Sequence, residues 1–287
     1  MRLVGLFLWL LALVASPAMA EAPPRLKFLE QQLSSLAISN PGNVGIAALD
    51  LRTGEMVSVA GDEPFPMAST VKIAIAANYL AQVEHGRRTL DQSIGGRSAR
   101  SLMEAMLIHS DNHATDVLLR NLGGPSMVQL WLTQQGINGL RIDRSIAQLL
   151  RDRRDLRDIR DSSTPRAMVQ LLQRIESGRL LNVGSRAYLQ DLMARCATGK
   201  NRIRGLLPAG VLVQNKTGTL SGLATDVGYI TLPDGHRLAI AVFARQGTNR
   251  PSTIAQAARA IYYGFSYAIG RPFASVTSAA PVASVAR

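Results

Sequence analysis

Phe65-Pro66-Met67-Ala68-Ser69-Thr70-Val71-Lys72 is the stretch on which the reading turns. Pro64-Phe65-Pro66 breaks the chain, and an alanine- and isoleucine-rich run from about Ser69 to Val83 predicts a helix. One helical turn puts Ser69 and Lys72 on the same face. A serine hydroxyl is a weak nucleophile until a base takes its proton. A buried lysine can be that base, because desolvation lowers its pKa. The N–H groups at a helix start suit a developing oxyanion. A lone S-x-x-K arises readily by chance, so its meaning depends on the rest of the chain.

Two further clusters follow in order. Ser110-Asp111-Asn112 ends a helix predicted over Leu102 to His109. A second serine can relay a proton to a leaving nitrogen. Asn112 can offer its amide to a substrate carbonyl while accepting from a lysine. The plainer reading is a helix-capping cluster. Lys216-Thr217-Gly218 lies on or just after a strand predicted over Val211 to Gln214. The lysine and threonine can hold a carboxylate, and the glycine lets backbone come close to a ligand. The plainer reading is a strand ending.

The ordered trio S-x-x-K, S-D-N, K-T-G resembles the signature of class A β-lactamases and penicillin-binding proteins. Phe65 to Thr70 is similar to the segment leading into that family's nucleophile, and Arg160-Asp161-Ser162-Ser163-Thr164-Pro165 to the end of its Ω-loop. The likeness runs from about Pro41 to Phe265. It implies that Ser69 is acylated, that Lys72 assists and that Ser110 relays a proton to the β-lactam nitrogen. It further implies that Asn112 holds the acylamide side chain, and that Lys216 and Thr217, beside Gly218, hold the substrate carboxylate. The N–H groups of Ser69 and Thr219 would form the oxyanion hole. Neither a cofactor nor a metal is implied.

The pattern breaks in the Ω-loop. The family carries there a glutamate that activates the deacylating water and an asparagine that helps hold it. With Arg144 placed on the loop arginine, Ile146 takes the glutamate's position and Leu150 the asparagine's. No glutamate occurs between Glu104 and Glu176. The loop is slightly longer than usual, so Asp152, Asp155 or Asp158 could substitute; the alternative is that they pair with neighbouring arginines. Arg144 and Asp161 are expected to pair across the loop's base. The segment between Lys72 and Ser110 is shorter than in familiar class A enzymes, which opens the cleft. Three functions stay open: a β-lactamase with slow deacylation, a penicillin-binding-type D-alanyl-D-alanine peptidase or β-lactam trap, and a non-catalytic cell-wall binding module.

The expected fold is α+β. An antiparallel sheet is built from both chain ends with flanking helices, and an all-helical subdomain is inserted between them. The domain spans 21–272, with its α/β part at about 21–68 and 206–270 and its helical part at about 69–205. Residues 1–20 read as a signal peptide: Arg2, an apolar run from Leu3 to Val14 too short to span a bilayer, then Ala18-Met19-Ala20. Residues 273–287 read as a disordered tail. A periplasmic or secreted monomer without a membrane span after cleavage is expected. The 287 residues carry a formal charge of +12, but the arginines form no basic stripe with a module signature, so no nucleic acid is expected as partner. Cys196 is the single cysteine, which excludes an internal disulfide. His109 and His113 have metal-ligand spacing but no clear third ligand, so no metal is expected.

Overall fold

The computed structural model describes residues 24–269 apart from 153 and 154. The expected signal peptide and C-terminal tail lie outside the described residues. Helix α1 (Lys27–Ser39) leads into the hairpin β1 (Asn43–Asp50) and β2 (Met56–Val59). The short strand β3 (Phe65–Pro66) precedes a single 3-10 turn, Ala68–Val71, and α2 (Lys72–Glu84). A small hairpin, β4 (Ser93–Ile94) and β5 (Arg97–Ser98), opens the helical stretch of α3 (Ala99–Ile108), α4 (Asn112–Asn121), α5 (Pro125–Gln134) and α6 (Ile146–Arg151). Then come β6 (Ser162–Ser163), α7 (Pro165–Glu176) and α8 (Val183–Ala194). After a further 3-10 turn, Ile203–Leu206, come β7 (Val213–Leu220), β8 (Leu223–Thr231), β9 (Arg237–Arg245) and α9 (Arg250–Ile269).

The main sheet has the order β2-β1-β9-β8-β7 and every neighbouring pair is antiparallel. Strands from the two ends of the chain therefore build one sheet, as the sequence implied. Both faces are covered, so its strands are buried almost throughout rather than half exposed. Val44, Ile46, Ile240 and Val242 pack with Leu29, Leu33, Ile254 and Ile261 of α1 and α9. Alternate residues, Ala47, Leu49, Tyr229 and Phe243, join the core of the helical side. Helix α7 rests on β1, β8 and β9, although its sequence lies inside the helical stretch. Thr164 caps α7, accepting from Ala167 N at 3.0 Å, and Pro165 takes its first position.

Two elements differ from the sequence reading. Strand β7 does not stop near Gln214 but runs to Leu220, so the Lys216 motif lies within it. Polar residues inside the strand had hidden its length. The stretch Arg141 to Ser163, read as a loop, contains the short helix α6. Ser145 and Gln148 form a capping box at its start: Ser145 Oγ accepts from Gln148 N, and Gln148 Oε1 from Ser145 N.

Candidate active site

The nucleophile turn is built under constraint. Ala68 has φ +49, a conformation that side chains other than glycine's seldom adopt. Met67 O closes the turn, accepting from Thr70 N at 3.2 Å, Thr70 Oγ1 at 2.7 Å and Thr225 Oγ1 at 3.2 Å. Strand β7, the edge of the sheet, runs against this turn. A side chain at Gly218 would come within 2.7 Å of Met67 O and 2.9 Å of Ala68 Cβ. Gly218 is thus required by the nucleophile turn, where the sequence suggested a ligand. Ser69 is half-buried, and no described residue hydrogen-bonds its Oγ.

Lys72, one turn on, is fully buried. Its Nζ donates to Ser110 O at 2.7 Å, Ser110 Oγ at 3.2 Å and Asn112 Oδ1 at 2.9 Å. The acceptor role expected of Asn112 is therefore present, and Asn112 itself is exposed at the start of α4. Ser110 is held at φ +59, which turns the chain between α3 and α4 toward the lysine. Lys216, also fully buried, donates to Ser110 Oγ and to Thr217 O, both at 2.9 Å. Burial, then the charge of Lys216, lowers the pKa of Lys72 to about 7. Burial lowers that of Lys216 to about 8, against the opposing pull of Cys196 and Asp226.

Thr217 is buried, its hydroxyl 2.5 Å from that of Thr198. Thr219 is exposed, and its Oγ1 accepts from Arg202 Nη2 at 2.6 Å. Arg202, which sequence reasoning passed over, also donates from Nη1 to Gly218 O at 2.8 Å and Thr225 O at 2.9 Å. Asp226 on β8 was missed as well. Its carboxylate accepts from Asn215 Nδ2 at 2.8 Å and Ile203 N at 3.1 Å, next to Arg202 in the chain. Burial raises its pKa to about 6, while Asn215, Ile203, Arg202 and Lys216 oppose the rise. The available signal was a charge inside the otherwise apolar run of β8.

Ser69 opens onto a pocket whose enclosed part is about 50 Å³, the rest being open to solvent. Ile75, Leu119, Ile142, Ile146, Leu149 and Leu150 form much of its apolar part. The loop beneath is tied down twice. Asp161 takes Arg144 Nε at 2.6 Å on one oxygen, and the N–H groups of Asp143 and Arg144 at 2.8 and 3.0 Å on the other. Asp116, a third residue missed, accepts from the N–H groups of Ile146 and Ala147 at 2.7 and 2.8 Å.

The sequence profile of the Beta-lactamase enzyme family matches residues 27–265. The chain belongs to this family. It is a class A β-lactamase-like serine hydrolase. The extended-spectrum β-lactamase PER-1 of Pseudomonas aeruginosa is 29% identical over 284 residues, covering 87% of this chain and 91% of the relative. The carbapenem-hydrolyzing β-lactamase KPC of Klebsiella oxytoca is 31% identical over 225 residues, 71% of this chain and 76% of that one. A solved ancestral class A β-lactamase (GNCA) matches with TM-score 0.79 and 32% identity, over 83% of this chain and 100% of that chain. A β-lactamase from Chitinophaga pinensis matches with TM-score 0.78 and 28% identity, over 83% and 99%.

Ile146, expected at the place of the water-activating glutamate, is buried, and Leu150, expected at that of the asparagine, is 42% exposed. The aspartates that could have substituted are occupied elsewhere. Asp152 pairs with Arg144 at 2.7 Å, Asp158 with Arg160 at 2.7 Å, and Asp155 accepts from Arg157 N at 2.9 Å. None of the three lines the pocket at Ser69. No described helix is long and apolar enough to cross a membrane.

Proposed function

We propose that this enzyme opens the amide of β-lactams through an acyl-enzyme on Ser69 and releases the acyl group slowly. The observation that carries the first half is the convergence of Lys72 and Lys216 on Ser110 Oγ, with Ser69 three residues before Lys72 in the chain. With a pKa near 7, a large share of Lys72 is neutral at neutral pH and has a lone pair for the Ser69 proton. Ser69 Oγ then attacks the lactam carbonyl, and the N–H groups of Ser69 and Thr219 take the oxyanion. Ser110 passes a proton to the departing nitrogen. Lys216 and Thr217 hold the substrate carboxylate, Asn112 the acylamide side chain, and Gly218 lets the strand lie close. Arg202, braced on Thr219, adds positive charge at the carboxylate's end. Slow release follows from Ile146 and Leu150, neither of which can polarise water.

The same lining favours a second reading, a penicillin-binding-type acyl enzyme that traps β-lactams. Export to the periplasm or medium is part of the proposal and rests on the N-terminal residues Arg2 to Ala20. Intact-protein mass spectrometry after mixing with penicillin tests all of it. An adduct on Ser69 that decays with turnover supports the β-lactamase reading. An adduct that persists without turnover supports the second. An adduct on another serine overturns the assignment of Ser69, and no adduct overturns both readings and leaves a binding module.

A further inference from the structure

The pocket behind Ser69 is more than a site that has lost its water. Apolar side chains form one part of its wall: Ile75 of α2, Leu119 of α4, Ile142, and Ile146, Leu149 and Leu150 on or beside α6. Several of the polar groups that line it have partners. Arg144 and Asp161 hold each other at 2.6 Å, Asn112 Oδ1 accepts from Lys72 at 2.9 Å, and Thr219 Oγ1 accepts from Arg202 at 2.6 Å. Both oxygens of Asp116 face backbone N–H groups of α6. Apolar walls accept apolar guests. The enclosed part, about 50 Å³, holds only a short run of methylenes, and Ser69 forms part of the wall. A chain lying there would be attached to the carbonyl carbon that Ser69 attacks.

We propose that this pocket binds an unbranched aliphatic chain on the acyl side of the substrate, so that the enzyme accepts acyl donors, esters included, that carry such a chain. The inference rests on Ser69 being the acylated residue. With a p-nitrophenyl ester, Ser69 Oγ bonds to the carbonyl carbon and the carbon–oxygen bond to the phenol breaks. The p-nitrophenolate leaves with the electron pair, and the serine proton passes to neutral Lys72.

The test is the rate of p-nitrophenolate release by the full enzyme with the acetate, butyrate, hexanoate and octanoate esters. Burying one methylene is worth about fourfold, so the second-order acylation rate should climb by about that factor per carbon until the pocket is full. Leu149 is only half-buried, so its replacement leaves the core intact. Leu149→Phe should move the optimum to a shorter chain and Leu149→Ala to a longer one. Ser69→Ala should abolish the burst in every case. A rate independent of chain length, an optimum that ignores both Leu149 variants, or a series that survives Ser69→Ala would each overturn the proposal. Mapping a penicillin adduct in the same preparation separates the two failures. A labelled Ser69 with no chain-length dependence sinks the pocket alone, while an unlabelled Ser69 sinks the acyl-enzyme reading.

Discussion

Lys72 and Lys216 donate to the same oxygen, Ser110 Oγ, at 3.2 and 2.9 Å. Two buried ammonium groups around one hydroxyl repel each other, and the weaker base yields its proton first. Burial and the charge of Lys216 put Lys72 near 7, while Lys216 stays near 8.

A narrow bell-shaped pH profile for acylation is the consequence. Lys72 must be neutral to accept the serine proton, so kcat/KM rises with pH through about 7. Lys216 must be charged to hold a carboxylate, so it falls again through about 8. The two apparent values belong to the coupled pair. Lys216→Arg should remove the basic limb, because arginine keeps its charge. A wild-type profile flat from acid through neutral pH would contradict the role given to Lys72.

Gly218→Ala should cost activity more than a glycine substitution in an edge strand normally does. The new methyl meets Met67 O and Ala68 Cβ, so the turn carrying Ser69 must shift. A misplacement of about 1 Å can cost on the order of 100-fold in rate. Acylation kinetics on the folded variant decide it; a loss below threefold would show that the turn absorbs the methyl.

Asp161→Ala should loosen the whole loop from Arg144 to Asp161. It removes one partner of Arg144, which keeps Asp152, and leaves two backbone N–H groups open, at a cost of about 3 kcal/mol. Denaturant unfolding measures the loss, and hydrogen exchange should rise first in α6. Stability within about 0.5 kcal/mol of wild type would mean an exposed, inconsequential pair.

Ile146→Glu should speed release of the acyl group. General-base assistance is worth about 10²–10⁴-fold, and the acyl-enzyme otherwise lacks it. In stopped-flow traces with a chromogenic cephalosporin, the wild type should show a burst and a slow steady state, and the variant a faster steady state. A wild type without a burst, turning over at tens per second or faster, near or above the usual enzyme median, would show that a base exists elsewhere.

The chemistry of the site was legible where it depends on residue types at short spacing, as in Ser69 with Lys72 or Ser110 with Asn112. The pairing of Arg144 with Asp161 could be anticipated too, because the two bracket one loop. What depends on tertiary approach was not. Gly218 answers to Met67 and Ala68, which are remote in sequence, and Arg202 meets Thr219 only because a 3-10 turn packs beside β7. Helix α6 was hidden by the arginines and aspartates around it, although its capping box is written in the sequence.

The sheet closes by pairing β1 with β9, Asn43 opposite Arg245, and β7 reaches the nucleophile turn only through that closure. Contacts so distant along the chain must be made before they are rewarded, which slows folding. Ser69 emerges early in synthesis, yet the strand that shapes its turn is among the last segments made. The chain therefore passes through its unfolded stage without a working nucleophile, and reactivity arises with completion of the native topology rather than with the local helix that carries the serine.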